Sequence, residues 1–398
     1  MRIARPHGLK NRKNAESGKE NTMKQISFSY SRQRFHEGFD GKTCKIVPYV
    51  ATDGKTTLIS YQHLLLTGMD VPLGKYILKS TDGGKTWSDP IPQPALADEQ
   101  IENGRISYWC FLQYNKTHKK WFGLGISETF YNDKAPNGIA GLTLCTPTYC
   151  EVDAEKGEVT SHKPLDFPLP FAGAVPGGQV LELEGGDILV AFDFFTKEHP
   201  KAAVVTVRYT FTEDGLKVVK VGEPIYGDDH ARGLCEPAVA KLGNKYYMAI
   251  RSDEIGLYAV SEDGYHFSEP KPYRWDDGSI LENYNTQQKW MTAPDGLFLV
   301  YNRKGANNDH IFRHRAPLFM TRFDEEGECL VRSEEVILVP EMGARLGNFC
   351  SFAVSENEAW VSVAEWMQRY LGDSHVCANY GSNNALWIAR VRFGEKPI

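Results

Sequence analysis

Residues 233–270, GLCEPAVAKLGNKYYMAIRSDEIGLYAVSEDGYHFSEP, contain one complete unit of a pattern that recurs along the chain. Three short strands are predicted within it, over residues 238–242, 245–252 and 257–261. Gly243 and Asn244 separate the first two strands, and a two-residue Gly/Asn connection is a strong signal for a tight hairpin. The Ser-Glu-Asp-Gly segment 261–264 predicts a further turn after the third strand. The unit therefore predicts a small antiparallel sheet.

Five other stretches repeat this order of strand, tight turn, strand, gap and strand. First strands are predicted over residues 45–50, 107–114, 179–184, 238–242, 289–292 and 349–354. Second strands are predicted over 57–63, 121–127, 188–194, 245–252, 297–303 and 359–366. Third strands are predicted over 76–80, 142–150, 203–210, 257–261, 317–323 and 385–393. We expect a fourth strand in the charged segment after each third strand.

The distance between unit starts, about 50–70 residues, is typical of four-stranded propeller blades with insertions. The predicted fold is an all-β, six-bladed β-propeller, with seven blades as the alternative if residues 88–180 contain another unit. A two-sheet sandwich also consists of short strands and turns. The internal repetition favours the propeller.

The octet STDGGKTW, residues 80–87, also favours a propeller. In a turn of this form Asp82 accepts backbone N–H groups, a glycine adopts positive φ, and Trp87 is buried between neighbouring blades. Residues 261–267 are a degenerate second copy. Turns of this kind are structural, so they predict the fold and carry no catalytic information.

Composition narrows the class of protein. The 398 residues are 41% hydrophobic and 24% charged, with a net charge of −6, which argues against a nucleic-acid-binding face. No apolar run approaches the length that spans a membrane. Residues 1–24 carry seven Lys/Arg without an apolar core, so we interpret them as a disordered basic tail, not a signal peptide, before one domain over 25–398. Met23 is an alternative start, and a cytoplasmic location is the default expectation.

The eight cysteines form no CxxC pair and no zinc-ligand spacing. We interpret them as reduced core thiols, with a Cys145–Cys150 disulfide as the alternative in an exported chain. His310 and His314, four residues apart on a predicted loop, are a weak metal signal. We predict no metal and no cofactor, and the sequence leaves the oligomeric state open.

In a propeller, equivalent positions of successive blades meet around the central channel. Polar or ionisable side chains lie at or next to the end of each predicted second strand. These are His63, Ser127 with Glu128, Asp193, Arg251, Arg303 and Glu365. A single charged strand end is ordinarily solvated. Because polar residues recur at the same structural position in successive units, we favour a ring of functional side chains around the channel.

Residues 40–395 resemble the sialidase (neuraminidase) superfamily of Asp-box propellers. Residues 45–87, KIVPYVATDGKTTLISYQHLLLTGMDVPLGKYILKSTDGGKTW, look like the sialidase opening: an Arg-Ile-Pro strand, a loop with the acid/base Asp, and the first Asp-box. The resemblance implies removal of an acidic sugar. It places Asp70 at the acid/base and matches four further residues to the family's glutamates and arginines. These are Glu236, Arg251, Arg303 and Glu365, the last matching the glutamate that steadies the first arginine.

The chain also departs from the family pattern. Lys45 stands in the place of the first arginine, and Gly347-Asn348-Phe349 stand where a tyrosine nucleophile would open the last blade. Tyr380 resembles a substitute but comes late in that blade. Two arginines and a lysine can still bind a carboxylate, because guanidinium pairs bidentately and ammonium acts as a point charge. With these departures, the chain resembles a divergent branch of the sialidase superfamily.

A dense polar stretch lies around the fifth unit. It contains Asp276-Asp277, residues 284–288, Arg303-Lys304, residues 307–310 and residues 313–315. Amides and guanidinium groups pair with sugar hydroxyls, and Tyr284, Trp275 and Trp290 offer faces for stacking. We interpret the stretch as part of a sugar site, with an Arg/Asp network that braces the blades as the alternative.

The leading hypothesis is hydrolysis of a terminal acidic sugar, of sialic or uronic acid type. Asp70 would protonate the leaving oxygen, and Glu236 would act as the second carboxylate or orient water. His63 and Glu365 complete the candidate catalytic set. The candidate substrate-binding residues are Arg251, Arg303, Lys45, Arg232, Tyr284, Gln288, Asn308, His310 and Arg313.

Two other functions remain open, and carbohydrate is the expected partner in all three. A polysaccharide lyase would take its base from His63, His310 or Tyr284 and would need no tyrosine nucleophile. A non-catalytic glycan-binding propeller is the third. Recognition alone seldom needs several carboxylates inside a cationic pocket, which favours an enzyme.

Overall fold

The computed structural model describes residues 26–66, 72–131, 144–368 and 374–394, whose strands form six antiparallel sheets. The predicted tail 1–24 and Asp70 lie outside the described residues. Each sheet is one blade of a six-bladed β-propeller, as the repeat pattern predicts.

The strands follow the chain from blade one to blade six. Strand β1 is Phe28–Phe35. Blade one contains β2 Thr43–Thr52, β3 Thr57–Leu65, β4 Pro72–Ser80 and β5 Ile91–Pro92. Blade two contains β6 Glu99–Ile101, β7 Gly104–Tyr108, β8 Phe111–Asn115, β9 Lys120–Tyr131, β10 Cys145–Asp153 and β11 Glu158–Pro164. Blade three contains β12 Gly173–Glu182, β13 Ile188–Phe195, β14 Ala203–Thr212, β15 Gly215–Val221 and β16 Ile225–Tyr226.

The second half of the chain continues in the same way. Blade four contains β17 Cys235–Leu242, β18 Lys245–Arg251, β19 Gly256–Ser261 and β20 Lys271–Pro272. Blade five contains β21 Lys289–Ala293, β22 Gly296–Tyr301, β23 Leu318–Asp324, β24 Cys329–Leu330 and β25 Val336–Val339. Blade six contains β26 Phe349–Ser355, β27 Glu358–Ala364 and β28 Leu386–Phe393.

Helical structure in the described residues is short. Three 3₁₀ turns span Pro94–Leu96, Phe312–His314 and Arg332–Glu334, and helix α1 spans Val376–Asn379. No helix in the described part of the chain has the length and apolar character needed to cross a membrane.

Apolar clusters between consecutive blades hold the ring together. The interface of blades five and six contains Phe298 and Val361, and that of blades three and four contains Leu189 and Met248. Every blade contributes to two such interfaces, so the middle strands are buried on both faces, as all six residues of β22 are. Burial of apolar area on both faces is the main favourable term for such packing.

The ring is closed by the beginning of the chain. Strand β1 pairs antiparallel with β28, from Phe28 opposite Phe393 to Phe35 opposite Leu386, and supplies the outer strand of blade six. The expectation of a fourth strand after each third one is therefore wrong for blade six. In that blade β1 pairs with β28 and takes the outer position.

The predicted turn at residues 80–87 is present. Asp82 accepts hydrogen bonds from the backbone N–H groups of Lys85 and Thr86, and Gly83 and Gly84 have positive φ. Trp87 stacks on Phe35 of β1 at 5.1 Å between ring centroids, which links blade one to blade six. Residues 261–267 form a similar turn, in which Asp263 accepts from the backbone of Tyr265 and His266.

All eight cysteines are free thiols, and seven of them are buried. Cys145 and Cys150 both lie on β10, and the thiol that adjoins Cys150 is that of Cys110. A Cys145–Cys150 disulfide is therefore not present.

In blades one, three, four and five the first strand, not the second, lies nearest the axis. A Cβ added at Gly177 of β12 would meet the Pro237 carbonyl of β17, and one added at Gly178 would meet the Tyr49 hydroxyl of β2. Gln179 bonds to the backbone of Trp290 in β21. Each second strand in these blades pairs outside its first. Of the predicted second-strand ends, Asp193 and Arg251 still reach Glu236 on the inner strand β17, whereas Arg303 and Glu365 bond within blades five and six.

Candidate functional site

Glu236 lies at a β-bulge near the start of β17, one of these inner strands. The register with β18 shifts between Cys235 and Ala238, and Glu236 has a φ of 45°, a conformation that is uncommon for residues other than glycine. Its backbone N–H donates to Asp193 Oδ1 at 2.9 Å. The bulge turns the Glu236 side chain out of the ladder and leaves it 35% exposed, so a ligand can reach the carboxylate.

Arg251 holds this carboxylate. It ends β18, its side chain is 10% exposed, and its Nη1 donates to Glu236 Oε1 at 2.7 Å. Its Nη2 donates to Asn285 Oδ1 at 2.6 Å. The contact between Glu236 and Arg251 that the blade alignment predicts is confirmed.

Two further cations, Arg315 and Lys289, lie close to Glu236. Arg315, 3% exposed, lies in the segment between β22 and β23, and its Nη2 donates to the Asn285 carbonyl at 2.5 Å. Lys289, fully buried, begins β21 and donates from Nζ to the Gly177 carbonyl. Burial lowers the pKa of Lys289 to about 8, and burial together with neighbouring Arg251 lowers the pKa of Arg315.

Trp366 adds an aromatic platform beside this cluster. The guanidinium of Arg345 lies 3.6 Å from the Trp366 ring centroid, and that of Arg315 lies 5.7 Å from it, both at distances of cation–π contact. Arg345 also contributes to the lowered pKa of Arg315. Arg251 and Arg315 therefore lie close to Glu236, and Arg345 lies beside Arg315 at the Trp366 ring.

Asp193 and Glu236 form a pair of carboxyl groups with opposite pKa shifts. Burial, and then the charge of Glu236, raise the pKa of Asp193 to about 7, against hydrogen bonding and Arg251. Burial also acts to raise the pKa of Glu236, but Arg251, Arg315 and Lys289 outweigh it and the pKa is lowered. Near neutral pH, Glu236 is charged while Asp193 is partly protonated.

Glu128 lies at the matching strand end in blade two. It is 6% exposed and accepts a hydrogen bond from Trp109 Nε1 at 3.2 Å. After burial, Glu128 and Asp193 are the groups that raise the pKa of Cys145, which places both near that thiol. Glu128, Asp193 and Arg251, the proposed ring members of blades two to four, therefore lie along one side of the site.

Arg303, a predicted carboxylate ligand, is engaged elsewhere. Its Nε and Nη2 donate to Glu335 at 2.7 and 2.5 Å, and its Nη1 donates to the Lys304 carbonyl at 2.8 Å. Its guanidinium lies 4.6 Å from the Phe319 ring centroid. The structure therefore places Arg303 in a pair with an outer segment of blade five.

Lys45 and His63 lie together in blade one. Lys45 is 3% exposed and donates from Nζ to the carbonyls of His36 and Asn384 at 2.8 and 2.7 Å. Burial lowers its pKa to about 8. His63 Nδ1 lies 3.2 Å from the Thr43 hydroxyl, and burial and then Lys45 lower its pKa. The Lys45 ammonium is thus directed at backbone carbonyls.

Glu365 fastens the N-terminal strand to blade six. It is 1% exposed and accepts from Arg34 Nε at 2.9 Å, from Trp387 Nε1 at 2.9 Å and from the backbone of Asn383 and Ala385 at 2.6 and 3.1 Å. The arginine that it holds is on β1.

The remaining predicted ligands fall into two groups. Arg232 lies beside the cluster: it pairs with Asp253 at 2.6 Å and reaches the Asn285 side chain at 3.4 Å. Arg313 lies near the same Asp253 carboxylate. Burial acts to raise the pKa of Asp253, but Arg232, Arg251 and then Arg313 outweigh it and the pKa is lowered. Tyr284 bonds through its hydroxyl to His314 Nδ1 at 2.8 Å.

The other predicted ligands form hydrogen bonds or ion pairs within the fold. Gln288 is fully buried and donates to the Thr286 carbonyl at 2.6 Å. Asn308, also fully buried, donates to the carbonyls of Arg303 and Ala316 at 2.9 and 2.6 Å. His310 pairs with Glu341 at 3.2 Å.

Trp275 and Trp290 do not form a stacking surface for a sugar. They are 3% and 0% exposed and belong to the apolar cluster between blades four and five. Trp366, which the sequence pattern does not assign to the site, is an aromatic residue beside the charged groups. Among the described residues that were searched, no group of His, Cys, Asp or Glu is arranged to hold a metal ion.

Sequence reasoning also missed Arg345 and Lys289 as site residues, and it included Arg315 only within the polar stretch 313–315. One signal was available for the bulge itself. Val47-Pro48 in β2 and Glu236-Pro237 in β17 occupy matching register shifts, and both residues before proline have positive φ. The same bulge carries an apolar side chain in blade one and a carboxylate in blade four.

No protein-family model and no curated protein sequence matches the chain. Among solved structures it is similar to an intramolecular trans-sialidase from Ruminococcus gnavus in complex with oseltamivir carboxylate, at 12% identity and TM-score 0.51, over 86% of this chain and 93% of that one. It is also similar to a leech intramolecular trans-sialidase complexed with 2,7-anhydro-Neu5Ac, at 12% identity and TM-score 0.53, over 88% of this chain and 67% of that one.

A third similar structure is an α-L-arabinofuranosidase from Fusarium graminearum in complex with an iminosugar inhibitor. The identity is 14% and the TM-score 0.52, over 92% of this chain and 97% of that one. At these identities the likeness establishes a shared fold, a sialidase-like propeller. What the site does has to be argued from its own residues.

Proposed function

We propose that the chain is a glycoside hydrolase that acts on a sugar with an anionic group, of sialic or uronic acid type. The observation that carries this proposal is the pair of neighbouring carboxyl groups with opposite shifts. Three cations lower the pKa of Glu236, whereas burial raises the pKa of Asp193 to about 7. Two carboxyl groups whose environments separate their pKa values are the usual acid and charged partner of glycosidases.

The roles follow from the protonation states. Asp193, partly protonated near neutral pH, donates its proton to the glycosidic oxygen as the bond to the anomeric carbon breaks. Glu236, charged, either attacks the anomeric carbon or takes a proton from the water that does so. Water supplies the hydroxyl of the released sugar. Asp70, the acid inferred from the sequence resemblance, stays a second candidate for the donor.

The surplus of positive charge supports an anionic substrate. The Nε–H groups of Arg251 and Arg315 are buried and have no acceptor among the described residues. A buried donor without an acceptor costs about 1–3 kcal/mol. A substrate carboxylate at this place would accept these hydrogen bonds and balance the guanidinium charges. The trans-sialidases of similar fold are complexed with ligands named as oseltamivir carboxylate and 2,7-anhydro-Neu5Ac.

The test is a panel of acidic and matched neutral glycosides, with the products identified by mass spectrometry and near-ultraviolet absorbance. We expect a saturated acidic sugar to be released, and we expect Glu236→Gln and Asp193→Asn to lose turnover. Asp187→Asn is the matched control, because Asp187 directly precedes β13, at its other end from Asp193, and pairs with Arg208. An unsaturated product would indicate a lyase, and binding without cleavage would indicate a glycan-binding propeller.

A further inference from the structure

Asn285 lies in the segment that joins blade four to blade five, between β20 and β21. Its side-chain oxygen Oδ1 accepts hydrogen bonds from Arg251 Nη2 at 2.6 Å and from Arg232 Nη2 at 3.4 Å. Its backbone carbonyl accepts from Arg315 Nη2 at 2.5 Å. One uncharged residue therefore contacts three arginines that come from three separate segments of the chain.

The backbone of Asn285 is held close to the end of β18. It has a φ of 47°, in the left-handed region that asparagine enters more readily than most other residues with a side chain. Its N–H donates to the carbonyl of Ser252, the residue directly after Arg251, at 2.8 Å. The main chain and the side chain of Asn285 are thus both bonded to this strand end, so its position relative to Arg251 is fixed at two points.

The two arginines that lower the pKa of Glu236 use the same guanidinium nitrogen on Asn285. Arg251 and Arg315 both donate to it from Nη2. The Nε–H group, on the same edge of each guanidinium, has no acceptor among the described residues. Such an edge ordinarily forms two parallel hydrogen bonds to a carboxylate. Asn285 occupies half of it in each arginine, and the other half remains available to a second acceptor.

The positive charge of this cluster is not fully balanced. Arg232 is paired with Asp253 at 2.6 Å. Arg251 is paired with Glu236 at 2.7 Å. Arg315 forms no ion pair within the described ranges, and burial and then the charge of Arg251 lower its pKa. An amide orders these guanidinium groups without adding a negative charge, whereas a carboxylate at the same place would cancel one of theirs.

We propose that Asn285 is a positioning residue of the site: its two oxygens set the spacing of Arg251 and Arg315, and its neutrality keeps their charge for the anionic group of the substrate. This inference rests on the proposed function and goes beyond it in one respect. It requires an uncharged residue at this position, although a carboxylate would bind the same arginines more strongly.

The test replaces Asn285 by glycine and by aspartate in the full chain. Asn285→Gly accommodates the positive φ and keeps the carbonyl that binds Arg315, so it removes only the side-chain acceptor. We expect kcat on an acidic glycoside to fall about 10-fold, because Arg251 loses an acceptor and holds Glu236 less firmly. We expect KM to rise several-fold.

Asn285→Asp keeps the acceptor and adds a negative charge. We expect KM for the acidic glycoside to rise about 10–100-fold, because the new carboxylate repels the anionic group of the substrate. We expect kcat to stay within a few-fold of the original value, because Arg251 keeps its acceptor. The two substitutions therefore separate the position of the arginines, read from kcat, from their charge, read from KM.

Asn103 provides the matched control. It also has a positive φ, 64°, and lies in the exposed turn between β6 and β7 of blade two. We expect Asn103→Gly and Asn103→Asp to have the kinetic constants of the original chain. Urea unfolding of every variant shows the folded fraction to which the constants refer. If glycine at 285 prevents folding, the nearly isosteric Asn285→Asp decides the question alone.

A purely structural role for Asn285 gives a different pattern. Asn285→Asp would then match the original chain in KM and kcat, and Asn285→Gly would lower the free energy of unfolding without changing either constant. Either result, with an active original chain, overturns this inference and leaves the proposed function standing. An original chain that neither cleaves an acidic glycoside nor binds glucuronate or N-acetylneuraminate in isothermal titration calorimetry overturns the proposed function, and the inference with it.

Discussion

Arg251 and Arg303 occupy matching places in adjacent blades, yet they do different things. Each follows or ends the second strand of its blade and pairs with a glutamate, at 2.7 Å for Arg251 with Glu236 and 2.5 Å for Arg303 with Glu335. Glu236 comes from a bulge of the inner strand. Glu335 lies just before β25, which pairs with β23 on the outer side of blade five.

The difference shows that the position of the partner decides the role of the arginine. A carboxylate from the inner strand brings its arginine towards the axis, where Arg315, Lys289 and Asp193 come from other blades. A carboxylate from the outer side turns the arginine onto its own blade, where Arg303 stacks on Phe319. Arg251 and Arg303 have matching positions in their repeat units, so the sequence pattern alone does not distinguish their two roles.

The sharpest test of this comparison exchanges each glutamate for glutamine. We expect Glu236→Gln to lower kcat on the order of 10⁴-fold, because the charged carboxylate acts on the reacting carbon or its water. We expect Glu335→Gln to leave kcat unchanged and to lower the free energy of unfolding by about 1–3 kcal/mol, because Arg303 loses a charged acceptor. Steady-state kinetics and urea unfolding measure both, and equal kinetic effects would contradict the comparison.

The next largest effect concerns Asp193 and pH. In the original chain, kcat/KM should fall as the pH rises through about 7, because the proton donor is lost. Asp193→Asn should lower kcat by about 10²–10³-fold and remove this fall. A fall near pH 7 that persists in the variant would assign it to another group.

The raised pKa of Asp193 also predicts how the stability of the fold depends on pH. The pKa of Asp193 rises from 3.8 to about 7 in the folded chain, so the folded state binds the proton more tightly. The stabilisation is complete below pH 3.8 and is lost as the pH rises through 7. The free energy of unfolding should therefore decline between pH 4 and 7 relative to that of Asp193→Asn. Parallel curves would show that Asp193 titrates near its ordinary pKa.

A smaller effect is expected for anion recognition. Arg315→Gln should raise KM for an acidic glycoside by about 10–100-fold, the effect of one charge-assisted hydrogen bond, and should change KM for the matched neutral glycoside much less. Arg303→Gln is the control, since Arg303 is bound to Glu335. If both substrates lose affinity equally in Arg315→Gln, the arginine supports the fold and does not select the anion.

The smallest kinetic effect is expected at Glu365, the matching strand end in blade six. Its carboxylate is saturated by Arg34, Trp387 and two backbone N–H groups. Glu365→Gln should lower the free energy of unfolding by about 1–3 kcal/mol with kcat of the folded fraction unchanged. A large loss of kcat at full stability would restore Glu365 to the catalytic set.

The sequence by itself determined the repeat, the six blades and most strand positions, because hairpin turns and alternating apolar residues are local signals that each unit carries. It also determined that Glu236 and Arg251 meet, since they lie in one hairpin. Tertiary structure alone decided that β1 completes blade six, since no local pattern marks a partner at Phe393. It alone brought Arg315, Lys289 and Asp193 to Glu236 and kept Arg303 away, because contacts between blades depend on bulges, loop paths and the closure of the ring.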